Sequence, residues 1–365
     1  MDLSDFQVHP EIAKASTLPA RFYNDPDVYR LTIDRLFGPS WQFIGDSSLV
    51  KVPGAVYPLM FLEGSLDEPV LLTRDTGDDL HLISNVCTHR GNLVCEGAGT
   101  ERYLRCRYHG RRFELGGKFL SMPEFEGVDN FPSPADDLRA LKLSNWGPLL
   151  FGSLCSSNSL DQVLAHAKSR LGWLPLNEFR PAPARTRDYL VRAHWALYVD
   201  NYLEGFHIPF IHAALSQELS VEDYGYELFE HGNLQLGKGK SGDSCFDLPK
   251  DSPDYGERIA AYYYWLFPNT MLNFYPWGLS INVVKPLGPD LTRVSFIPYV
   301  WREELIGSGA GAELDRVERE DEAVIELVQK GVKSRFYNRG RYSPTQEVGT
   351  HHFHRLIAAA MTSDG

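Results

Sequence analysis

Several features of membrane-bound, secreted and nucleic-acid-binding proteins are absent from this sequence. No uninterrupted apolar run approaches the ~18 residues that a membrane-spanning helix needs, so no membrane span is expected. The segment Met1–Asp5 has neither a basic start nor an apolar core and does not resemble a signal peptide. Because the formal net charge is −12, nucleic acid is not the expected partner.

Cysteine is scarce as well. The 365 residues include only five, and Cys95, Cys155 and Cys245 have no closely spaced partner. Such an odd remainder favours reduced thiols and a cytoplasmic location over a disulfide framework. With 43% hydrophobic and 23% charged residues, the composition is that of an ordinary globular protein with room for two domains.

The other two cysteines each stand close to a histidine. Cys87-Thr-His89 is followed after sixteen residues by Cys106-Arg-Tyr-His109, which gives the pattern C-x-H-x16-C-x-x-H. Zinc sites usually show C-x2–4-C and H-x3–5-H spacing. One Cys and one His in each loop instead suit a Rieske [2Fe–2S] cluster, with two thiolates on one iron and two imidazoles on the other. The alternatives are a zinc site or two structural Cys/His pairs.

A second group of ligand-type residues lies in the segment 200–212. Glu204 and His207 are three residues apart and would share one face of a helix. Pro209 should end or kink that helix and so bring His212 back beside His207. Two histidines and a distant carboxylate form the facial triad of non-haem Fe(II) enzymes that activate oxygen. The alternative is a helix end with buried histidines whose hydrogen bonds are satisfied.

The distant carboxylate is sought on an amphipathic helix predicted over Glu313–Val332. Its apolar residues recur at spacings of three and four and form one stripe. Continuing this stripe through its gap leads to Asp321. A carboxylate on a buried face is costly unless it is paired or bound to a metal, so Asp321 is the predicted third ligand. The alternative is a solvated member of an acidic run.

Taken together, these motifs resemble the catalytic α subunit of Rieske non-haem iron oxygenases. The Cys-Thr-His-Arg-Gly and Cys-Arg-Tyr-His-Gly strings resemble the two cluster-binding loops, and Glu204-x-x-His207-x4-His212 resembles the iron motif. The resemblance spans most of the chain. It implies an α+β protein with a small all-β Rieske domain, followed by a larger catalytic domain in which a curved antiparallel sheet and helices surround a mononuclear Fe(II).

The resemblance and the element pattern predict three parts. Residues 1–40 form an N-terminal helical segment that packs on the catalytic domain, with its helix at Pro26–Phe37. Residues 41–155 form the Rieske domain, and residues 156–365 form the catalytic domain. Short apolar runs predict strands at 50–52, 56–62, 70–72, 81–83, 280–285 and 293–299.

Further roles follow from the resemblance alone. It implies a homotrimer in which the cluster of one subunit lies beside the iron of the next. His109 would then hydrogen-bond to an acid that also contacts His207, and by position this bridging acid is Glu204. Independently of the resemblance, Asn201 and Asp200 are predicted to orient an iron ligand through hydrogen bonds; the alternative is that either caps a helix or pairs locally.

Glu204 also indicates a branch of the family. Ring-hydroxylating dioxygenases usually carry Asp at that place, whereas Glu is similar to the branch acting on choline, carnitine and glycine betaine. Arg111 stands where many members carry Trp. The implied function is O2-dependent monooxygenation or N-demethylation of a small quaternary-ammonium molecule, with electrons from a separate NAD(P)H-dependent reductase, alone or with a ferredoxin. The alternatives are an aromatic-ring-hydroxylating oxygenase α subunit and a Rieske electron-transfer protein.

Aromatic residues are the candidates for the substrate pocket. Aromatic faces attract a desolvated quaternary ammonium with about 2 kcal/mol or more. We select Phe206, which precedes an iron ligand, and Trp265, Phe267 and Trp277 from the aromatic-rich segment that follows. The alternative for the latter three is ordinary hydrophobic core.

Overall fold

The chain forms two compact units in the computed structural model. One is Gly38–Leu160, and the other combines Met1–Phe37 with Asp161–Gly365. The structure describes residues 3–211, 225–307 and 314–362.

The unit Gly38–Leu160 is built from short antiparallel strands. These are β1 (Gln42–Asp46), β2 (Ala55–Phe61), β3 (Glu68–Arg74), β4 (Leu80–Ser84), β5 (Gly99–Thr100), β6 (Leu104–Arg105), β7 (Arg112–Phe113), β8 (Phe119–Ser121), β9 (Lys142–Trp146) and β10 (Leu149–Ser153). They form three sheets, with strand orders β4-β3-β2-β5, β1-β10-β9 and β6-β7-β8. The first Cys/His motif follows β4, and the second lies inside the β6–β7 hairpin.

The core of this unit joins the four-stranded sheet to both motifs. Leu71 on β3 and Phe113 on β7 are fully buried, and Cys87 and Cys106 belong to the same hydrophobic cluster. Cys87 and Cys106 are therefore held by the packing of two sheets, and the position of each loop depends on this core.

The second unit is centred on an eight-stranded sheet in which every described pairing is antiparallel. Its strands are β11 (Arg180–Pro181), β12 (Arg187–Val191), β13 (Gly225–Phe229), β14 (Gly232–Lys238), β15 (Ile259–Leu266), β16 (Thr270–Tyr275), β17 (Gly278–Gly288) and β18 (Leu291–Val300). The order is β11-β18-β17-β16-β15-β14-β13, and β12 also pairs with β18.

Helices complete this unit. They are α1 (Ala20–Asn24), α2 (Pro26–Thr32), α3 (Leu160–Leu171), α4 (Trp195–Tyr202), α5 (Ile208–Ile211), α6 (Leu314–Val332) and α7 (Val348–Thr362). Trp195 at the start of α4 is fully buried and lies 5.6 Å from Phe353 of α7 between ring centroids. Because α4 also contacts α6, one short helix is held between two longer ones.

The register of the sheet directs polar groups toward α4. Tyr263 of β15 pairs with Asn273 of β16 and with Gln235 of β14. The hydroxyl of Tyr202, the last residue of α4, donates to Oδ1 of Asn273 at 2.6 Å, and Gln235 donates to the carbonyl of Tyr202 at 2.8 Å. The C-terminal end of α4 is thereby attached to the sheet.

The predicted α+β fold class is confirmed, and so is the helix predicted over Glu313–Val332, which is α6. The strand predicted at 50–52 is wrong. A 3-10 turn at Ser47–Val50 occupies that place because the Asp46 side chain accepts the N–H of Ser48 and caps the turn. Within the described ranges, no helix has the length and apolar character to cross a bilayer.

Candidate cluster and iron sites

The two Cys/His loops of the unit Gly38–Leu160 have the same backbone construction. The N–H of Gly91 donates to the carbonyl of Cys87 at 2.9 Å, and the N–H of Gly110 donates to the carbonyl of Cys106 at 3.0 Å. Both glycines have positive φ, +71° and +78°, where a side chain would be strained. The sequence thus makes two equivalent turns, each presenting one Cys and one His.

The sulfur atoms lie inside these loops and the imidazoles lie toward the surface. Cys87 and Cys106 are 3% and 2% exposed, whereas His89 is half-buried and His109 is exposed. The two imidazole rings lie 4.8 Å apart between centroids. Burial raises the pKa of the Cys87 thiol, so a thiolate there needs a strong positive partner such as a metal.

This donor set fits a [2Fe–2S] cluster. Two buried thiols and two outer imidazoles match the ligation in which one iron takes both sulfurs and the other takes both nitrogens. A zinc ion would require three or four of these groups around one point. Among residues 3–211, 225–307 and 314–362, no group of three or more His, Cys, Asp and Glu side chains is placed to hold a single ion.

The segment with the predicted iron ligands is not one continuous helix. Helix α4 ends at Tyr202 and α5 begins at Ile208, so Glu204 and His207 lie in the turn between them. Pro209 is the second residue of α5, where its missing N–H and fixed φ are well tolerated. The prediction that Pro209 ends or kinks a helix carrying Glu204 and His207 is therefore wrong, since the proline helps to start the second helix.

Glu204 and His207 nevertheless form a close pair. Nδ1 of His207 lies 2.6 Å from Oε1 of Glu204. The second carboxylate oxygen accepts the backbone N–H of His207 at 3.1 Å and also that of Phe206. The two side chains are only 14% and 17% exposed. Glu204 therefore fixes the imidazole, and Nε2 faces away from Glu204.

Asp321 on α6 lies beside that second nitrogen. Its Oδ1 is 3.3 Å from Nε2 of His207 and accepts a 2.9 Å hydrogen bond from Nδ2 of Asn201. Two neighbouring ligands with metal bonds of about 2.1 Å lie roughly 3 Å apart, so this pair fits two ligands of one metal ion. His212, predicted as the remaining ligand, lies outside the described residues.

The charges around this pair are unusual for a buried region. Burial acts to lower the pKa of His207, but hydrogen bonds with Asp321 and Glu204 raise it to about 9. One turn before Asp321, Glu318 is 5% exposed, and burial raises its pKa to about 8. Its Oε2 accepts the hydroxyl of Tyr198 at 2.8 Å. Several carboxyl groups therefore share a region that a cation would stabilise.

Asp200 lies next to Asn201 and joins a different network. Its Oδ1 is 2.9 Å from Nε2 of His354 on α7, and its Oδ2 accepts the hydroxyl of Tyr23 at 3.3 Å. The hydroxyl of Tyr342 lies 2.6 Å from Nδ1 of His354. Asp200 thus fastens α4 to α1 and α7. No pattern in the sequence indicated this network, because Tyr23 precedes Asp200 by 177 residues and His354 lies near the other end of the chain.

His194 was also missed by the sequence analysis. It caps α4, since its Nδ1 accepts the N–H of Ala196 at 3.3 Å, and its own N–H donates to Oε1 of Gln329 on α6 at 2.8 Å. The side chain is fully buried, and burial lowers its pKa to about 3. A neutral His194 therefore sets the start of the helix that carries Asp200 and Asn201.

The histidines near Asp200 do not gather around a point. Nε2 of His351 donates to the carbonyl of His9 at 2.9 Å, and Nε2 of His352 donates to the carbonyl of Phe229 at 2.8 Å. Both therefore fasten backbone segments to α7.

The candidate pocket aromatics occupy three environments. Trp265 is fully buried, 5.1 Å from the ring of Phe353 and 6.0 Å from that of Phe267. Trp277 is 8% exposed and stacks on Tyr275 at 5.2 Å. Phe206, beside His207, is 45% exposed. The structure therefore brings Trp265 and Phe267 together and places Trp277 in a separate aromatic cluster.

Two family models match this chain. Residues 180–363 match the family "Ring hydroxylating alpha subunit (catalytic domain)", and residues 40–132 match "Rieske [2Fe-2S] domain". The catalytic-domain match excludes a chain that is only an electron-transfer protein.

Two curated relatives are similar over nearly the whole chain. Choline monooxygenase, chloroplastic, of Arabidopsis thaliana is 30% identical over 379 residues, covering 97% of this chain and 85% of the relative. The carnitine monooxygenase oxygenase subunit of Escherichia coli (strain K12) is 29% identical over 371 residues, covering 97% and 96%.

A solved structure shares the fold. The quaternary ammonium Rieske monooxygenase CntA superimposes with a TM-score of 0.76 at 22% identity, covering 99% of each chain. The chain therefore belongs to the Rieske non-haem iron oxygenases, which are oxidoreductases with a [2Fe–2S] cluster and a mononuclear iron.

Proposed function

We propose that this chain is the oxygenase component of a system that monooxygenates and N-demethylates a small quaternary-ammonium compound. Electrons would come from a separate NAD(P)H-dependent reductase. The observation that carries the proposal is the position of His207, with Glu204 at one ring nitrogen and Asp321 at the other. The names of the choline and carnitine monooxygenases support the substrate class.

The proposed ligands rest on the described geometry, except that His212 is assigned from the sequence motif. Cys87, His89, Cys106 and His109 would hold the cluster, and His207, Asp321 and His212 would hold the iron. When bound, these groups supply one-electron storage and O2 activation at open coordination positions. The corresponding domains would be 41–155 and 156–365, with 1–40 packed on the latter.

The chain's own side chains would hold the iron ligands in place. Glu204 accepts the Nδ1 proton of His207, which fixes the tautomer and directs Nε2 toward Asp321. Asn201 holds the Asp321 carboxylate by its hydrogen bond. Asp200 would keep α4 in position through its contact with His354.

Glu204 would have a second role in an assembled protein. We propose a homotrimer in which Glu204 also accepts a hydrogen bond from His109 of the partner subunit. The exposure of His109 supports this, because an imidazole inside the loop would be out of reach of another chain. One carboxylate would then join the two redox sites by hydrogen bonds.

Electrostatics favour a cationic substrate. The chain has a net charge of −12, and the carboxyl groups of Glu204 and Asp321 lie on either side of His207. A cleft with negative potential raises the local concentration of cations. Phe206 would present an aromatic face beside His207, where cation–π attraction acts on an N-methylated ammonium, whereas Trp265 with Phe267, and Trp277 in its separate cluster, would support the pocket from the core.

The reaction consumes one O2, two electrons and two protons. One oxygen atom enters a C–H bond as a hydroxyl group, and the other leaves as water. On an N-methyl group the hydroxylated product loses formaldehyde and leaves the demethylated amine. Exclusion of bulk water from the pocket would limit wasteful side reactions.

A single-turnover assay tests the proposal. The protein is reduced, freed of reductant, and mixed with O2 and either choline, carnitine and glycine betaine or simple aromatics. We expect hydroxylated or demethylated ammonium products by mass spectrometry, formed in step with cluster oxidation. Products from aromatics alone would reject the quaternary-ammonium proposal in favour of ring hydroxylation.

A further inference from the structure

Arg111 is a buried cation attached to the second cluster loop. It follows Gly110, and its carbonyl accepts the N–H of Cys106 at 2.9 Å, which closes the loop. The residue is only 2% exposed. Its guanidinium lies among three aromatic rings, with Cζ to centroid distances of 4.9, 5.6 and 5.8 Å for Phe119, Phe131 and Phe113.

One acid meets this cation. Nη2 of Arg111 donates to Oδ1 of Asp136 at 2.6 Å and to the carbonyl of Asp136 at 3.3 Å. The other carboxylate oxygen accepts the N–H and the hydroxyl of Ser133 at 2.7 and 3.0 Å. Asp136 is therefore fixed by its own turn before it meets the guanidinium.

The same carbonyl also holds the first cluster loop. The hydroxyl of Thr88, which lies between Cys87 and His89, donates to the carbonyl of Asp136 at 2.8 Å. Asp136 thus contacts both ligand loops, one through Thr88 and the other through Arg111. All five cysteines of the chain are free, so no disulfide performs this connection.

Burial of a guanidinium carries a large desolvation penalty unless an opposite charge and hydrogen bonds compensate it fully. Nε of Arg111 is buried and has no hydrogen-bond partner among the residues that the structure describes. An uncharged ring could fill a space lined by aromatic groups without that cost. The arrangement therefore favours a role for the positive charge itself.

We propose that Arg111 and Asp136 form a clamp that connects the two cluster loops, and that the charge of Arg111 raises the reduction potential of the cluster. The proposal rests on the assignment of the cluster to these loops. Reduction adds one negative charge, and a buried cation nearby stabilises that charge because the low local dielectric screens it poorly. Asp136 has the opposite charge and should oppose this effect.

The test is a redox titration of the reconstituted full chain at fixed pH, followed by optical and EPR signals of the cluster. Arg111→Met should lower the equilibrium constant for reduction about tenfold, equivalent to about 59 mV for a one-electron couple. Arg111→Lys should stay within about threefold of the wild-type constant. Asp136→Asn should shift the potential upward.

Arg112→Met is the matched control. Arg112 is the next residue, carries the same charge and is exposed, with Cζ 5.0 Å from the ring of Tyr103. Water and salt screen its charge, so Arg112→Met should change the equilibrium constant for cluster reduction by less than about twofold. An equal shift in Arg111→Met and Arg112→Met would overturn the proposal.

The reduction potential should shift in opposite directions in Arg111→Met and Asp136→Asn, and this difference separates an effect of charge from structural damage. If the two substitutions acted only by disturbing the loops, the reduction potentials of Arg111→Met and Asp136→Asn would shift in the same direction. That result would reject the electrostatic part of the proposal.

Thr88→Val tests the clamp. It keeps both charges but removes one contact of the clamp, so it should speed cluster loss to a chelator and leave the reduction potential almost unchanged. Unchanged retention in Thr88→Val and Asp136→Asn would reject the clamp. A wild-type chain without a Rieske EPR signal would instead refute the proposed function.

Discussion

Asn201 donates a 2.9 Å hydrogen bond to the same carboxylate oxygen of Asp321 that lies 3.3 Å from Nε2 of His207. One oxygen atom therefore joins the end of α4, the following turn and α6. A bound iron would compete with Asn201 for the lone pairs of that oxygen and would replace the direct contact with His207. The relationship makes the geometry of α4 a determinant of the iron site.

Removal of the Asn201 amide should weaken iron binding. We expect Asn201→Ala to lower iron affinity 10–100-fold, an effect typical of residues that orient metal ligands, while cluster content stays unchanged. Metal analysis after dialysis against graded chelator measures this. Asn145→Ala, in the other unit, is the control. Wild-type iron retention in Asn201→Ala would contradict a positioning role.

The carboxylate of Glu204 should matter for electron delivery rather than for metal content. Glu204→Gln retains the size of the side chain but removes its charge, so we expect both metals to remain and the rate of substrate-dependent cluster oxidation to fall 10–100-fold. Stopped-flow absorption of the pre-reduced protein measures that rate. The exposed Glu230→Gln serves as control. Cluster oxidation at the wild-type rate in Glu204→Gln would argue against the bridge.

His194 should make the catalytic unit sensitive to mild acid. Its folded-state pKa of about 3 lies below its ordinary value of 6.5, so the unfolded chain binds the proton first. Stability is therefore fully present above pH 6.5 and is lost as the pH falls toward 3.

Between pH 7.5 and 5.5, this residue alone should cost about 1.4 kcal/mol of unfolding free energy. His194→Asn keeps a capping side chain without this titration, so denaturant unfolding should show a smaller loss over the same interval. His9→Asn, an exposed control, should retain the wild-type slope. An identical slope in His194→Asn would show that burial does not keep this imidazole neutral.

Substitutions of Trp265 and Phe206 should show which of these residues packs in the core and which contacts the substrate. Trp265 is fully buried against Phe353, so Trp265→Ala should destabilise the protein by about 3–5 kcal/mol. Phe206 is 45% exposed, so Phe206→Ala should change stability by less than about 0.5 kcal/mol while raising KM. Thermal unfolding and steady-state kinetics measure the two effects. An unchanged KM in Phe206→Ala would remove that residue from the pocket.

The residues proposed as ligands were accessible from the sequence. Spacing identified the two Cys/His loops, because each is a short turn whose glycine is required by local geometry. Periodicity drew attention to Asp321, since a helix of known phase determines which residues face inward. In each instance the relevant interactions lie within a few residues, and local stereochemistry controls them.

Local reasoning failed where a second element decides the structure. The spacing of Glu204 and His207 suggested a single helix, but attachment of Tyr202 to the sheet ends α4 before either residue. Their contact is made across a turn by a hydrogen bond instead. The strand expected at 50–52 is replaced by a turn for a similar reason. The side chain that caps this turn, Asp46, lies outside the apolar run.

Ligand types and their spacing are enough to predict the cofactor class, because they allow few other metal sites. The groups that support the proposed ligands depend on tertiary packing instead. Asp200 meets His354, and Arg111 meets Asp136, through packing between segments far apart in the chain. No periodicity records such pairs, because their energy comes from burial and from charges brought together after the sheets and helices have assembled.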